Sequence, residues 1–167
     1  MHGPTGNNVV NGLPAAAGRV QAAAERLGLA ITVRVMAEAT RTAEEAAVAC
    51  DCTVGQIVKS LIFKGKDSGR AYLLLVSGAN RVNEKAVGGR LGEAIVRPDA
   101  AFARAATGFA IGGIPPFGHE PPLTPYLDAD LLQYGTVWAA AGTPHAVFAV
   151  DPAKLLEATG AVVIDLK

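Results

Sequence analysis

Lys59 interrupts the run Ile57-Val58-Lys59-Ser60-Leu61-Ile62-Phe63, in which every other residue but Ser60 is apolar. At strand periodicity it shares a face with Ile57, Leu61 and Phe63, a setting that takes water away from an ammonium. A cation held against an apolar wall is a candidate for chemistry on negative charge. It can equally lay its stem on apolar neighbours with the amine in water, or pair with a carboxylate elsewhere in the chain. Lys64, beside Gly65 at the end of the run, is explained by a solvated strand terminus.

The segment Ile111-Gly112-Gly113-Ile114-Pro115-Pro116-Phe117-Gly118 offers a second kind of group. Paired glycines after an apolar stretch let backbone N–H groups approach a ligand, and the two prolines stiffen the end of the loop, which suits an oxyanion or a carbonyl. A tight corner in a curved sheet needs the same residues. The spacing is not G-x-G-x-x-G and no helix is expected after it, so a phosphate cradle is rejected. In Gly142-Thr143-Pro144-His145, a histidine opening an apolar strand can project into a pocket, or serve as a structural or surface residue.

Other chemistries find little support. His119, in a proline-rich turn beside Glu120, reads as solvated, and Asp128 and Asp130 read as turn caps or a solvated edge rather than an acid/base pair. Ser60, Ser68 and Ser77 lack the glycine-flanked elbow of a serine hydrolase. Cys50 and Cys52 form neither a disulfide framework nor a zinc ligand set, and a nucleophilic pairing with His145 has no local signature. Three histidines without carboxylates at ligand spacing predict metal-independent chemistry with no cofactor.

The elements that must position these groups fit one domain spanning 14–167 behind a flexible tail, 1–13, that contains His2. Pro14 to Leu27 reads as a helix stopped by Gly28, and Ile31 to Met36 as a strand. Thr42-x-x-Glu45 and Thr53-x-x-Gln56 are capping-box patterns, so a short helix precedes the lysine strand. Ala71 to Val76 returns as its hairpin partner across a polar turn. Asn83 caps a helix to Leu91, Glu93 to Arg97 is a short strand, and Pro98-Asp99 opens a helix to about Ala106. Strands are expected over Phe109 to Ile114, Leu123 to Leu127, Thr136 to Ala140 and Ala146 to Val150, then a helix from Pro152 to Gly160 and a strand from Val162 to Leu166. This order predicts an α+β class with a curved, barrel-like mixed sheet flanked by helices.

Lysine plus arginine and aspartate plus glutamate number 15 each in 167 residues, so no global field draws the chain to duplex nucleic acid or a membrane surface. No apolar run is long enough to span a bilayer, and no signal core follows the N-terminus, which predicts a cytoplasmic protein.

In order and spacing, Thr42-Ala43-Glu44-Glu45-Ala46-Ala47, Val58-Lys59-Ser60-Leu61, Ile111-Gly112-Gly113-Ile114-Pro115-Pro116 and Ala141-Gly142-Thr143-Pro144-His145 resemble the YbaK and prolyl-tRNA-synthetase-associated domain family. These are aminoacyl-tRNA deacylases that hydrolyse mischarged tRNA in trans. The resemblance implies that Lys59 faces the acylated end of the tRNA and that Gly112 and Gly113 supply amide donors. By the same resemblance Ser60, Ile114, Pro116, Gly142 and His145 line the substrate pocket, with Gly112 and Pro116 matching the family's G-x-x-x-P loop. Pro115 stands where many members carry serine, and Ala140-Ala141 where the cysteinyl-specific branch has serine-glycine. Implied partners are the acceptor end of a mischarged tRNA and an aminoacyl-tRNA synthetase. The competing expectations are a non-catalytic module that captures tRNA ends or docks on a synthetase, and a small-molecule esterase.

Overall fold

The computed structural model describes Val9, Val10 and residues 12–167. His2 and most of the stretch read as a tail lie outside the described residues. Within that stretch β1 (Val9–Val10) pairs antiparallel with β2 (Leu13–Pro14), directly ahead of α1 (Ala15–Arg26). Pro14 precedes the first turn of α1, where its missing N–H costs nothing, and Gly28 follows the helix at φ +70. β3 (Val33–Val35) is shorter than the expected strand.

The approach to Lys59 is built from local caps. α2 (Ala43–Cys50) starts where the Thr42 hydroxyl accepts the Glu45 N–H at 3.0 Å. The Glu45 carboxylate reaches back to the Arg41 N–H at 2.8 Å, one residue earlier than a standard capping box. Thr53 and Gln56 close a single 3₁₀ turn, Val54–Gln56, through a 2.9 Å bond from the Thr53 N–H to Gln56 Oε1. The chain then enters β4 (Val58–Gly65), which pairs antiparallel with β5 (Ala71–Ser77) with Lys59 opposite Val76.

Beyond the hairpin come α3 (Glu84–Leu91), capped by the Asn83 side chain, β6 (Ile95–Val96), and α4 (Ala100–Thr107), capped by Asp99. After a long irregular segment come β7 (Tyr126–Asp128), a 3₁₀ turn over Ala129–Gln133, β8 (Val137–Ala140) and β9 (Ala146–Val150). α5 (Pro152–Thr159), capped by Asp151, and β10 (Val162–Ile164) complete the chain.

The class is α+β, but hydrogen bonding does not run continuously round a barrel. A five-stranded mixed sheet, ordered β10-β7-β5-β4-β6, and a three-stranded antiparallel sheet, ordered β3-β9-β8, are joined among the described residues by a bridge from Ile57 to Trp138. β6 pairs with β4 only at Lys64 and Gly65, so the first half of β4 has β5 on one side and an opening toward β8 on the other.

Two expectations on the irregular segment are corrected. Phe109 to Ile114 is not a strand: Phe109 is buried, Ile111 is 57% exposed, and Gly113 N–H closes a turn on Ala110 O at 3.0 Å. Gly112 holds φ +95 there, a backbone state that ends strand alternation and favours glycine. His119 is not solvated but 4% exposed, with Nε2 donating to Pro115 O at 2.7 Å, because the proline-rich turn folds inward over α1.

Alternation along β4 divides the core. Val58 and Ile62 join Leu73, Leu75, Phe148 and the buried face of α1. The other face carries Phe63, Tyr72, Leu74 and Val76 against Val87 and Leu166. Both faces of this hairpin are therefore covered, and a wholly buried ring such as Phe148 is worth about 3–5 kcal/mol against alanine.

Candidate active site

A cavity of about 350 Å³ opens beside the first half of β4, on the side that β6 does not reach. Its walls come from Val58 to Leu61 of β4, Ala43 and Ala46 of α2, Trp138 to Ala140 of β8, and Ile111, Gly112 and Ile114. The lining is mostly apolar and, among the described residues, contains no aspartate or glutamate.

Lys59 and Ser60 both line it and, as successive strand residues, leave β4 on opposite faces. Lys59 is half-buried, and its Nζ donates to the Asn80 backbone carbonyl at 2.6 Å. Burial holds its pKa below the ordinary lysine value; Glu44 and Asp128 oppose that shift, and Arg81 adds to it. Lys59 forms no salt bridge to any carboxylate among the described residues. The ammonium is therefore held by a neutral acceptor rather than by a carboxylate.

Asn80 is itself pinned. Its Nδ2 donates to Asp128 Oδ2 at 2.9 Å and to Asp130 Oδ2 at 2.7 Å. Asp128, 3% exposed, also accepts the Ser77 N–H at 3.0 Å and the Asp130 N–H at 2.9 Å. Asp130 is paired with Lys167 at 2.7 Å. Asp128 thus caps the following 3₁₀ turn, as expected, and in addition supports the turn that carries Lys59's acceptor.

The glycine loop splits in two. Gly112 is exposed on the cavity lining, and its N–H has no hydrogen-bond partner among the described residues. Gly113 N–H is committed to Ala110, and its Cα lies so close to the next loop that an added Cβ would stand 2.7 Å from the Gly142 carbonyl carbon. Gly142 N–H donates to Gly113 O at 2.9 Å, and a Cβ on Gly142 would meet Ala16 O at 2.6 Å. These two glycines let α1 and two loops touch backbone to backbone.

Of the residues singled out from sequence, the structure brings Lys59, Ser60, Gly112 and Ile114 together on the cavity. Gly113 and Gly142 stand behind its wall, and Pro116 faces a separate hollow with Phe117 and His119. His145 is exposed and off the lining; its N–H donates to Thr143 Oγ at 3.1 Å and its carbonyl accepts the Met36 N–H. Sequence reading missed Asn80, Arg41 and Trp138. The lone tryptophan in a strand was a usable signal; Asn80 carried none beyond being a turn residue, since its partner is set by tertiary packing.

Cys50, buried on the cavity lining, has its thiol pushed up first by burial and then by Cys52, so it is held neutral. Among the described residues no three His, Cys, Asp or Glu side chains gather as a metal site, and no helix is long and apolar enough to cross a membrane.

The α+β domain thus presents an apolar cavity that carries an ammonium with no carboxylate partner among the described residues and an exposed glycine amide. Residues 37–158 match the aminoacyl-tRNA editing domain model, so the chain belongs to that family. It is 30% identical over 120 residues to the uncharacterized protein YwhH of Bacillus subtilis (strain 168), covering 70% of this chain and 73% of that one. A crystal structure described as that of a proposed trans-editing enzyme for prolyl tRNA synthetase is 49% identical, with a TM-score of 0.87 over 93% of this chain and 98% of its own. The hypothetical protein APE2540 is 30% identical with a TM-score of 0.82, over 89% and 98% respectively.

Proposed function

We propose that the protein hydrolyses, in trans, the ester between a wrongly attached amino acid and the terminal ribose of a tRNA. The observation that carries this reading is Lys59: a half-buried ammonium on an apolar cavity, held by a carbonyl rather than neutralised by a carboxylate. An aminoacyl ester is already activated, so a site that grips the carbonyl and admits a water needs no strong protein base.

In this scheme the aminoacyl group enters the cavity and the ester stays at the mouth. The Gly112 N–H faces the ester oxygen; Gly113, whose N–H is engaged, shapes the loop instead. Lys59 meets the terminal phosphate or the charge that develops on the carbonyl oxygen. A water adds to the carbonyl carbon, the C–O bond to the ribose breaks, and the ribose oxygen leaves with a proton passed through the neighbouring ribose hydroxyl or the substrate amine. This route uses no metal and no cofactor. Grip on a single-stranded acceptor end needs few phosphate contacts, in keeping with a net charge of zero.

The deciding experiment is deacylation of a panel of mischarged tRNAs in the cytoplasmic pH range. Proline tRNA comes first, given the trans-editing description of the similar structure. Release of amino acid by the wild type, lost in Lys59→Ala, supports the reading. Binding of the tRNA end without release would make the protein a capture module instead.

A further inference from the structure

Three cations leave the chain at neighbouring points around the cavity. An added Cβ on Gly78 would stand 2.9 Å from the Ala43 Cβ, so the chain leaving β5 runs against the start of α2. Arg41 lies two residues before Ala43 and Arg81 three after Gly78, so their Cα atoms are at most about 8 Å and about 11 Å from those two residues. Asn80, whose carbonyl receives the Lys59 ammonium, is joined directly to Arg81. Arg41 is exposed yet on the cavity lining, which places it on the rim. The proximity of these charges is felt at Lys59, whose pKa is held down by burial and further by Arg81, against Glu44 and Asp128.

Neither Arg41 nor Arg81 forms a salt bridge among the described residues, and both are exposed. Arg19, Arg34, Arg90 and Arg97 are by contrast each fastened to a carbonyl or a carboxylate. The acids nearby leave the two guanidiniums free: Glu45 spends its carboxylate on the Arg41 backbone N–H, and Glu44 forms no ion pair. Like charges gathered in this way repel one another, and an anion at the same place removes that cost.

Resting on the deacylase reading, we propose that Arg41 and Arg81 grip the phosphodiesters upstream of the terminal one in the single-stranded 3′ end of the tRNA, outside the cavity. A cavity of about 350 Å³ sits at the low end of small-ligand pockets, so the nucleotides before the terminal one stay outside and cross its rim. A planar guanidinium matches a phosphate with two parallel N–H bonds, which a half-buried ammonium cannot offer. Because the whole chain has no net charge, attraction for the strand has to come from a local cluster of this kind. Contacts this far from the ester are the same before and during the reaction, so they serve binding and leave kcat alone.

The probe is an uncharged RNA hairpin ending in single-stranded CCA, its binding followed by fluorescence anisotropy over a range of salt concentrations. Arg41→Gln and Arg81→Gln should each weaken binding and flatten the slope of log K against log salt by about 0.7, the share of one single-strand phosphate. Arg26→Gln, at an exposed arginine on the separate hollow with Pro116, should match the wild type. A hairpin trimmed of its CCA should bind all four proteins alike. In deacylation the two rim variants should raise KM with kcat unchanged. If no ester is cleaved by any form, the deacylase reading fails while the hairpin still decides the arginines. A wild type that does not bind the hairpin, or slopes unchanged in both rim variants, overturns the proposal. So does an equal loss on the trimmed hairpin, which would put the arginines on the stem, or a fall in kcat at constant KM.

Discussion

The Lys59 ammonium donates to the backbone carbonyl of Asn80 at 2.6 Å, and the Asn80 side chain is fastened to Asp128 and Asp130. The aim of this cation is thus set by a turn that it does not belong to. Asn80→Ala keeps the carbonyl but releases the turn; kcat should fall by about tenfold with little change in the unfolding midpoint. Asp128→Ala should instead cost about 2–4 kcal/mol in urea unfolding, because at a buried position it leaves the Ser77 and Asp130 N–H groups without acceptors and takes one of the two acceptors of the Asn80 amide.

Lys59→Ala should reduce deacylation by about 100-fold or more, the scale expected when a group that stabilises developing charge is removed. Arginine should not rescue it, since a planar guanidinium cannot take the same bond to Asn80 O in the same space. Stability should move the other way. Burial places the folded pKa of Lys59 below its unfolded value of 10.5, so the unfolded chain binds more protons between the two and stability rises with pH across that window. Lys59→Met, which removes the buried charge, should therefore raise the melting temperature at pH 7 and abolish that part of the pH dependence.

Glu93 ties down the β4–β5 turn by accepting from the Ser68 hydroxyl, the Tyr72 hydroxyl, and the Ser68 and Asp67 N–H groups. The Ser68 and Tyr72 bonds in particular hold its carboxyl down to about 2, from an ordinary 4.5. A depressed folded pKa contributes stability that is full above about 4.5 and is lost as pH falls through about 2. Denaturant midpoints measured between pH 6 and pH 2 should show this loss in the wild type and a flatter profile in Glu93→Gln.

Gly113→Ala should cost about 1–3 kcal/mol, because the new methyl has backbone rather than a movable side chain in its way. Gly142→Ala should cost more, adding a φ of +95 to a clash with Ala16 O. Gly89→Ala in α3, where a Cβ meets nothing within 4 Å, should stabilise by about 0.5–1 kcal/mol. Urea midpoints of the three variants on one scale check the order.

Where structure is set by neighbours in sequence, the sequence was legible. The lysine strand, its hairpin partner, the caps Thr42, Asn83, Asp99 and Asp151, and the glycine stops all arise from period-two alternation and local hydrogen bonding. Lys59, Ser60, Gly112 and Ile114 all line the cavity; Lys59 and the paired glycines carried local signals, whereas Ser60 and Ile114 were expected there only from the resemblance. Illegible were contacts made across the fold. Ile111 and Phe109 share a strand-like composition, yet a turn sends one to solvent and the other to the core. His119 looked like a surface residue until the proline-rich turn was seen folded over α1, and Asn80 meets Lys59 through pairing that no short motif encodes.

The hydrogen bond from Gly142 N–H to Gly113 O lies where α1 presses on the loops behind the cavity. No side chain separates the three segments, so the bond breaks only when they part. Amide hydrogen exchange at Gly142 is consequently a local clock for opening: shortening α1 from its N-terminal end, far along the chain from Lys59, should speed that one proton's exchange before it alters the exchange of the β4–β5 ladder.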